Sequence, residues 1–218
     1  MSCSCCSVTS AAARHFDEGR VQKELESYRS AGPGPTTLGL LSQILSGEPM
    51  PETVLDIGSG IGAVSLELLQ AGVKNAICVD MSPAALSANA EEAQRRGVGD
   101  RIEQVEGDFV AVGPTLPPAD LVVLDRVVCC YPAYAPLLEQ ATARSRRLLA
   151  LAYPRDRWWV RLAMGIENAW RGIRGDEFRS FVHRPAGMAE VLHRGGFTRS
   201  RELSTFAWQM ELYTRNAR

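Results

Sequence analysis

From residue 53 onward the chain alternates short apolar runs with longer stretches of helix formers, and no other feature restricts its fold so tightly. Residues 54–57, 76–79, 102–105, 121–124 and 148–152 are short, largely apolar runs, each of the right length for a buried strand. Between them, 63–71, 83–96 and 136–144 read as helices, with Pro83 suited to a first helical turn. Repeated βα units imply a parallel sheet covered by helices. The right-handed crossover rule then makes a doubly wound α/β sheet the expected topology.

The two ends of the chain depart from this rhythm. Residues 198–205 and 207–214 are strand-like with almost no spacer, so they should form a hairpin that closes the sheet with an antiparallel strand. Ahead of them, 157–171 is helix-like and carries Trp158, Trp159, Leu162, Ile166 and Trp170. We read 157–184 as an insertion after the fifth strand, capping a site at the carboxyl ends of the strands. At the other end, 11–30 reads as a mostly polar helix with a narrow stripe of Phe16, Val21, Leu25 and Tyr28. AGPGPTT from Ala31 breaks it, and Thr36 is placed to cap a second helix running to about residue 46. The expected organisation is an N-terminal tail and helical lid over 1–50 and one α/β domain over 51–218.

The total charge of −1 hides an asymmetry. Residues 1–140 carry 9 basic and 18 acidic side chains, whereas 141–218 carry 15 and 7. The last third is therefore net +8, which suits an anionic substrate, a membrane surface or nucleic acid, or equally arginines spread over a solvated surface. No recognisable nucleic-acid module accompanies it, so nucleic acid is not an expected partner. No apolar run approaches the roughly 20 residues of a membrane span, and MSCSCCSVTSAAA lacks the pattern of a signal peptide, so the expected setting is cytoplasmic. The oligomeric state is open. Cys3, Cys5 and Cys6 follow no zinc-knuckle spacing, and no metal is expected.

The chemistry centres on VLDIGSGIG from Val54, a strand entering a glycine-rich turn and then a helix. Gly58 and Gly60 let the backbone turn sharply and approach a nucleotide-like ligand, and the following helix offers its positive amino end. The same residues satisfy a dinucleotide fingerprint, and Asp80 at the end of the second strand suits any ribose diol. Asp56 discriminates: two residues before the first glycine, a carboxylate favours a bound ammonium and opposes a pyrophosphate. Asp108, in EGDF after the third strand, can accept from an exocyclic amine such as that of adenine. Ammonium, ribose and adenine together describe S-adenosylmethionine.

With these motifs in order, VLDIGSGIG, CVDMS from Cys78, EGDF from Glu106 and ADLVVLD from Ala119, residues 53–153 resemble the class I S-adenosylmethionine-dependent methyltransferases. The resemblance implies a Rossmann-like seven-stranded sheet of order 3-2-1-4-5-7-6, its last strand antiparallel. It also implies that Asp56, Gly58 and Gly60 hold the methionine part, Asp80 the ribose, and Asp108 with Phe109 the adenine. A narrower similarity, through LDRVVCCYP, LALAYPRDRWW and FVHRPAGMAEVLHRGGF, runs to the magnesium-protoporphyrin O-methyltransferase branch. That branch has a His before its Tyr-Pro pair where this chain has Cys130.

The expected activity is methyl transfer to a small anionic or aromatic metabolite, at oxygen. Asp125, at the end of the fourth strand, is the candidate for steering the acceptor. Tyr131 and Tyr134 follow it and can line the pocket, and His183 can act as an acid-base group. Tyr28 and Thr36 would reach over the cofactor if the first helices form a lid. Trp158 and Trp159 suit either a flat substrate or a membrane-touching face. Two alternatives stay open: transfer to sulfur or a thiol-bound metalloid through Cys129, Cys130 and the N-terminal cysteines, and S-adenosylmethionine binding without turnover.

Overall fold

The computed structural model describes residues 14–47 and 49–217. Its elements run α1 (Glu18–Ala31), α2 (Pro35–Leu45), β1 (Thr53–Ile57), α3 (Ala63–Gln70), β2 (Asn75–Asp80), α4 (Pro83–Arg95), β3 (Ile102–Glu106) and the short α5 (Phe109–Val112). They continue with β4 (Ala119–Asp125), α6 (Tyr134–Arg144), β5 (Ser145–Pro154), α7 (Trp158–Ile173), α8 (Pro185–Arg194), β6 (Phe197–Ser204) and β7 (Trp208–Arg215). Cys3, Cys5, Cys6 and the start expected for the first helix lie outside the described residues.

The strands form one sheet in the order β3-β2-β1-β4-β5-β7-β6, as expected. All neighbours are parallel except β7, which runs antiparallel to both β5 and β6. Alternation along each strand divides the core into two layers. Val54, Leu121, Val123, Ala150, Ala152 and Leu212 face a layer filled by α1 to α4. Leu55, Ile57, Val122, Leu124, Leu149 and Leu151 face the layer that holds α6 and α8. A sheet covered on both faces needs the apolar runs that β2, β4 and β5 carry, whereas β3, IEQVE at the sheet edge, has no buried residue and corrects the expectation of a buried strand there.

Local chemistry sets the helix starts. Ser82 caps α4 by accepting from Ala85 N, with Pro83 in the first turn. Asp17 caps α1 by accepting from Arg20 N, so that helix begins at Glu18. Gly34 is the cap residue of α2 and Pro35 its first residue, which corrects the placement of Thr36 as a cap. β5 is longer than its apolar run because β7 pairs with it from Leu148 to Pro154. The helix α8 had drawn no expectation of its own.

The helix α1 is held by more than its apolar stripe. Val21, Leu25 and Tyr28 are buried, and Arg29 Nε donates to the fully buried Glu92 of α4 at 2.9 Å. Arg95 and Arg96 converge on the same carboxylate, and their hydrogen bonds, with Arg95 foremost, bring Glu92 down to about 2. Among the described residues no helix is long and apolar enough to cross a membrane.

Candidate active site

β1 has β2 on one side and β4 on the other, so successive crossovers leave it in opposite directions. A crevice must open at the carboxyl ends of these strands. A cavity of about 600 Å³ lies there. Its floor is strand-end backbone and carboxylates: Asp56, Gly58, Ser59, Gly60 and Asp80. Its outer wall comes from α1, α2, α7, the segment after β4 and the segment after α7.

Two glycines shape the floor. Gly58 has φ +61°, and a Cβ there would stand 2.6 Å from Val127 Cγ2. Gly60 has φ +55° with no heavy atom within 4 Å of an added Cβ, so its backbone faces open cavity. Asp80 accepts from Gly60 N and Ser82 N, both at 2.8 Å, which fixes its carboxylate over the turn. Asp56 is buried and accepts from Ser65 Oγ at 2.7 Å.

The floor carries unbalanced negative charge. Burial, with Asp125 and Asp80 nearby, pushes Asp56 up to about 7, and burial also raises Asp80. Asp125 receives Thr37 Oγ1 on Oδ2 at 2.5 Å, while Oδ1 makes no hydrogen bond and lies 3.5 Å from Arg126 Nε. Three carboxylates around a cavity with open glycine backbone fit a ligand bearing an ammonium and a sulfonium. They do not fit a pyrophosphate.

The outer wall is mixed in sign. Arg20, Arg126 and Arg171 border the cavity together with Glu24 and Glu167, and Arg126 lies 3.8 Å from Glu24. Arg126 is the one described non-glycine residue in the left-handed region, at φ +63°, a conformation that costs energy and gathers at working sites. Arg171 donates to Ser180 Oγ at 2.9 Å, pairs with Glu167 and lies 5.2 Å above the Phe178 ring. His15 closes the wall: Nδ1 meets Asp176 Oδ2 at 2.6 Å, and its ring stacks on Phe178 at 4.3 Å. Ser82 Oγ donates to the Phe16 carbonyl, tying this N-terminal segment to the turn after β2.

The expected site residues separate into groups. Asp56, Gly58, Gly60, Asp80 and Phe109 all border the cavity, as do Asp125 and Tyr131. Asp108 caps α5, and its Oδ1 accepts from both Val110 N and Tyr131 Oη. The Tyr131 phenol is thereby committed to that carboxylate, and burial with the Asp108 charge raises its pKa far above the ordinary value. It positions Asp108 and serves poorly as a base. His183, the expected acid-base group, does not border the cavity, and its Nε2 faces the carbonyls of Tyr131 at 2.9 Å and Val128 at 3.2 Å. It stitches the segment after α7 to the loop after β4 and packs near Tyr134.

Tyr28 and Thr37, rather than Thr36, reach the cavity from the first helices. The Tyr28 hydroxyl donates to Glu67 at 2.7 Å. Trp158 and Trp159 do not stack over the cavity. Trp158 is 74% exposed, and Trp159 stacks on Phe206. Cys129 and Cys130 border the cavity, whereas Cys78 is buried in the sheet, its thiol pushed up to about 12 by burial. Among the described residues no cluster of His, Cys, Asp and Glu could hold a metal ion.

His15, Thr37, Arg126, Arg171 and Phe178 were missed by the sequence reading. Arg126 stood inside LDRVVCCYP, but no residue type signals a left-handed arginine.

Comparison with known proteins agrees with this geometry. Residues 54–150 match the family model described as a methyltransferase domain. Ribosomal protein L11 methyltransferase of Escherichia coli is 36% identical over 89 residues, 40% of this chain. The match spans 30% of the length of that curated relative. The magnesium protoporphyrin IX methyltransferase of Synechocystis PCC 6803 with bound SAM superposes with a TM-score of 0.69 at 19% identity, covering 94% of this chain and 93% of that one. An O-methyltransferase family protein from Burkholderia thailandensis gives 0.71 at 14% identity, covering 93% and 62%. Residues 54–150 thus resemble a methyltransferase domain, and the sheet that carries them has the strand order expected of the class I S-adenosylmethionine-dependent methyltransferases.

Proposed function

We propose that this protein transfers the methyl group of S-adenosylmethionine to a small anionic acceptor, aromatic in part, at oxygen. One observation carries the reading: Asp56, Asp80 and Asp125 stand at the strand ends of the cavity, and the facing wall sets Arg20, Arg126 and Arg171 against Glu24 and Glu167, so its arginines outnumber its carboxylates. The cofactor supplies an electrophilic methyl on a sulfonium. Asp56 would face its ammonium, Asp80 would accept from the ribose hydroxyls, and Asp108 beside Phe109 would accept from the adenine amine.

Displacement at that methyl is governed by alignment of the acceptor within about 3 to 3.5 Å. The arginines would bind the acceptor's charge, and Phe16, Phe178 and Met164 provide apolar walls that exclude water. Asp125, braced by Thr37, is placed to orient the incoming oxygen. A carboxylate acceptor brings its own nucleophilic electron pair and needs no base, which accords with the commitment of Tyr131 and His183 to internal hydrogen bonds. The described residues of 1–50 and the segment 157–184 would act as lid and cap by supplying this outer wall.

A second reading rests on the two thiols of Cys129 and Cys130 at the cavity edge, which would suit sulfur or metalloid acceptors. The deciding experiment is transfer of labelled methyl into a cell extract by wild type and Asp80→Ala, followed by mild base. Label present only with wild type and released as methanol identifies a methyl ester. Base-stable label that survives in the protein's thiol-bound fraction favours the second reading. Equal S-adenosylmethionine affinity in wild type, Asp56→Ala and Asp80→Ala would overturn the site assignment, and binding without any methyl transfer would leave a non-catalytic binding protein.

A further inference from the structure

α7 is amphipathic in the wrong sense for a helix of an isolated globular protein. Its outward face presents Trp158, Leu162, Ile166, Trp170 and Ile173, which are 54 to 80% exposed. Gly165 and Ala169 fill the spaces between them, and no charged residue interrupts the stripe. The polar and charged positions point the other way: Glu167 and Arg171 border the cavity, and Asn168 is held by Ser180. The orientation is fixed. Asn168 Nδ2 donates to the Ser180 carbonyl at 2.8 Å, Ser180 N returns a bond to Asn168 Oδ1 at 2.9 Å, and Val160 is buried beneath.

The stripe continues past the helix. Phe206, in the turn between β6 and β7, is 77% exposed and stacks on Trp159 at 5.5 Å. A 16-residue helix is about 24 Å long, so Trp158 and Trp170 sit near its two ends with aliphatic side chains between. The surroundings are basic. Residues 155–184 carry seven arginines, Arg155, Arg157, Arg161, Arg171, Arg174, Arg179 and Arg184, against four carboxylates, a balance of +3. Arg157 and Arg174 are exposed at the helix ends, and Arg174 lies 4.4 Å above the Trp170 ring.

We propose that α7 docks this protein on an anionic lipid surface, lying in the plane of the interface with its apolar stripe at the acyl boundary. A continuous apolar face of this size in water calls for a partner. Tryptophans beside a cationic rim match the chemistry of lipid headgroups over hydrocarbon. Charge decides against a second copy as the occupant, because pairing two such faces would bring two basic rims together.

The test uses the full chain in flotation with phosphatidylglycerol-rich vesicles and with pure phosphatidylcholine vesicles. The wild type should partition at least about tenfold more strongly to the anionic vesicles, with a blue shift of Trp emission. The double variant Leu162→Asp/Ile166→Asp should lose this partition while keeping its S-adenosylmethionine affinity and melting temperature, since neither residue borders the cavity. Arg157→Glu/Arg174→Glu should abolish the preference for anionic vesicles. Four results would overturn the proposal: no flotation with either vesicle, equal flotation with both, retained binding in the stripe variant, or a wild-type dimer in sedimentation that the stripe variant dissociates. Failure of methyl transfer leaves these readouts untouched.

Discussion

The two halves of the cavity are built on different principles. The strand-end half is backbone and carboxylate, held by short-range bonds such as Asp80 to Gly60 and Ser82, and it is negative. The outer half is side chain against side chain from segments far apart in the chain, His15 on Asp176 and Phe178 and Thr37 on Asp125, and it carries the arginines. A rigid floor can impose one cofactor geometry. A wall assembled from side chains of separate segments can be altered to suit an acceptor without disturbing that floor.

The largest expected effect comes from Asp56. Its folded pKa of about 7 lies above the ordinary 3.8, so the native state binds the proton more tightly than the unfolded chain does. Without ligand, stability should therefore fall as pH rises from about 4 to 7, with a ceiling of about 4 kcal/mol. Affinity for S-adenosylmethionine should move the opposite way, weakening below about pH 7 as the carboxylate is neutralised. Urea unfolding and calorimetric titration across this range check both trends, and Asp56→Asn should flatten them.

Next in size is Gly58→Ala, which combines positive φ with a Cβ pressed on Val127. It should cost about 1–3 kcal/mol and weaken cofactor binding at least tenfold, read by thermal unfolding and titration. On the outer half, His15→Ala removes a buried stack and a hydrogen bond to Asp176. A loss of about 1–2 kcal/mol is expected, with faster cofactor release in stopped-flow but little change in the pH trend set by Asp56. Smallest is Leu162→Ala on the exposed face of α7, which should stay within about 0.5 kcal/mol of wild type. A larger loss there would mean that α7 is packed in the isolated protein.

Legibility in the sequence follows the same division. Asp56, Gly58, Gly60 and Asp80 were readable because each sits at a definite offset from an apolar strand, and strand ends converge wherever parallel β1, β2 and β4 pair. The parallel core and the closing hairpin were readable from apolar runs alone. Tyr131 and His183 had the right chemistry and neighbourhood, yet their polar atoms face Asp108 and two carbonyls. Which partner a hydroxyl or imidazole takes depends on distances of a few tenths of an ångström, and residue type does not encode them. The Trp pair shows the same limit, since a period near four identifies a stripe on α7 but not whether it faces the cavity or solvent.

The sequence by itself determined the doubly wound sheet, its order through the resemblance that its motifs carry, and a cavity floor of glycines and carboxylates. These depend on local periodicity and on backbone geometry within one βα unit. Only the tertiary structure decided that Thr37 braces Asp125, that Arg126 adopts a left-handed backbone, that His15 meets Asp176 and that α7 turns its apolar face outward. Apart from the Arg126 backbone, each of these joins elements distant in the chain or fixes the rotation of a helix about its own axis. Such choices are made by packing and hydrogen-bond satisfaction across the whole molecule, which no single segment specifies.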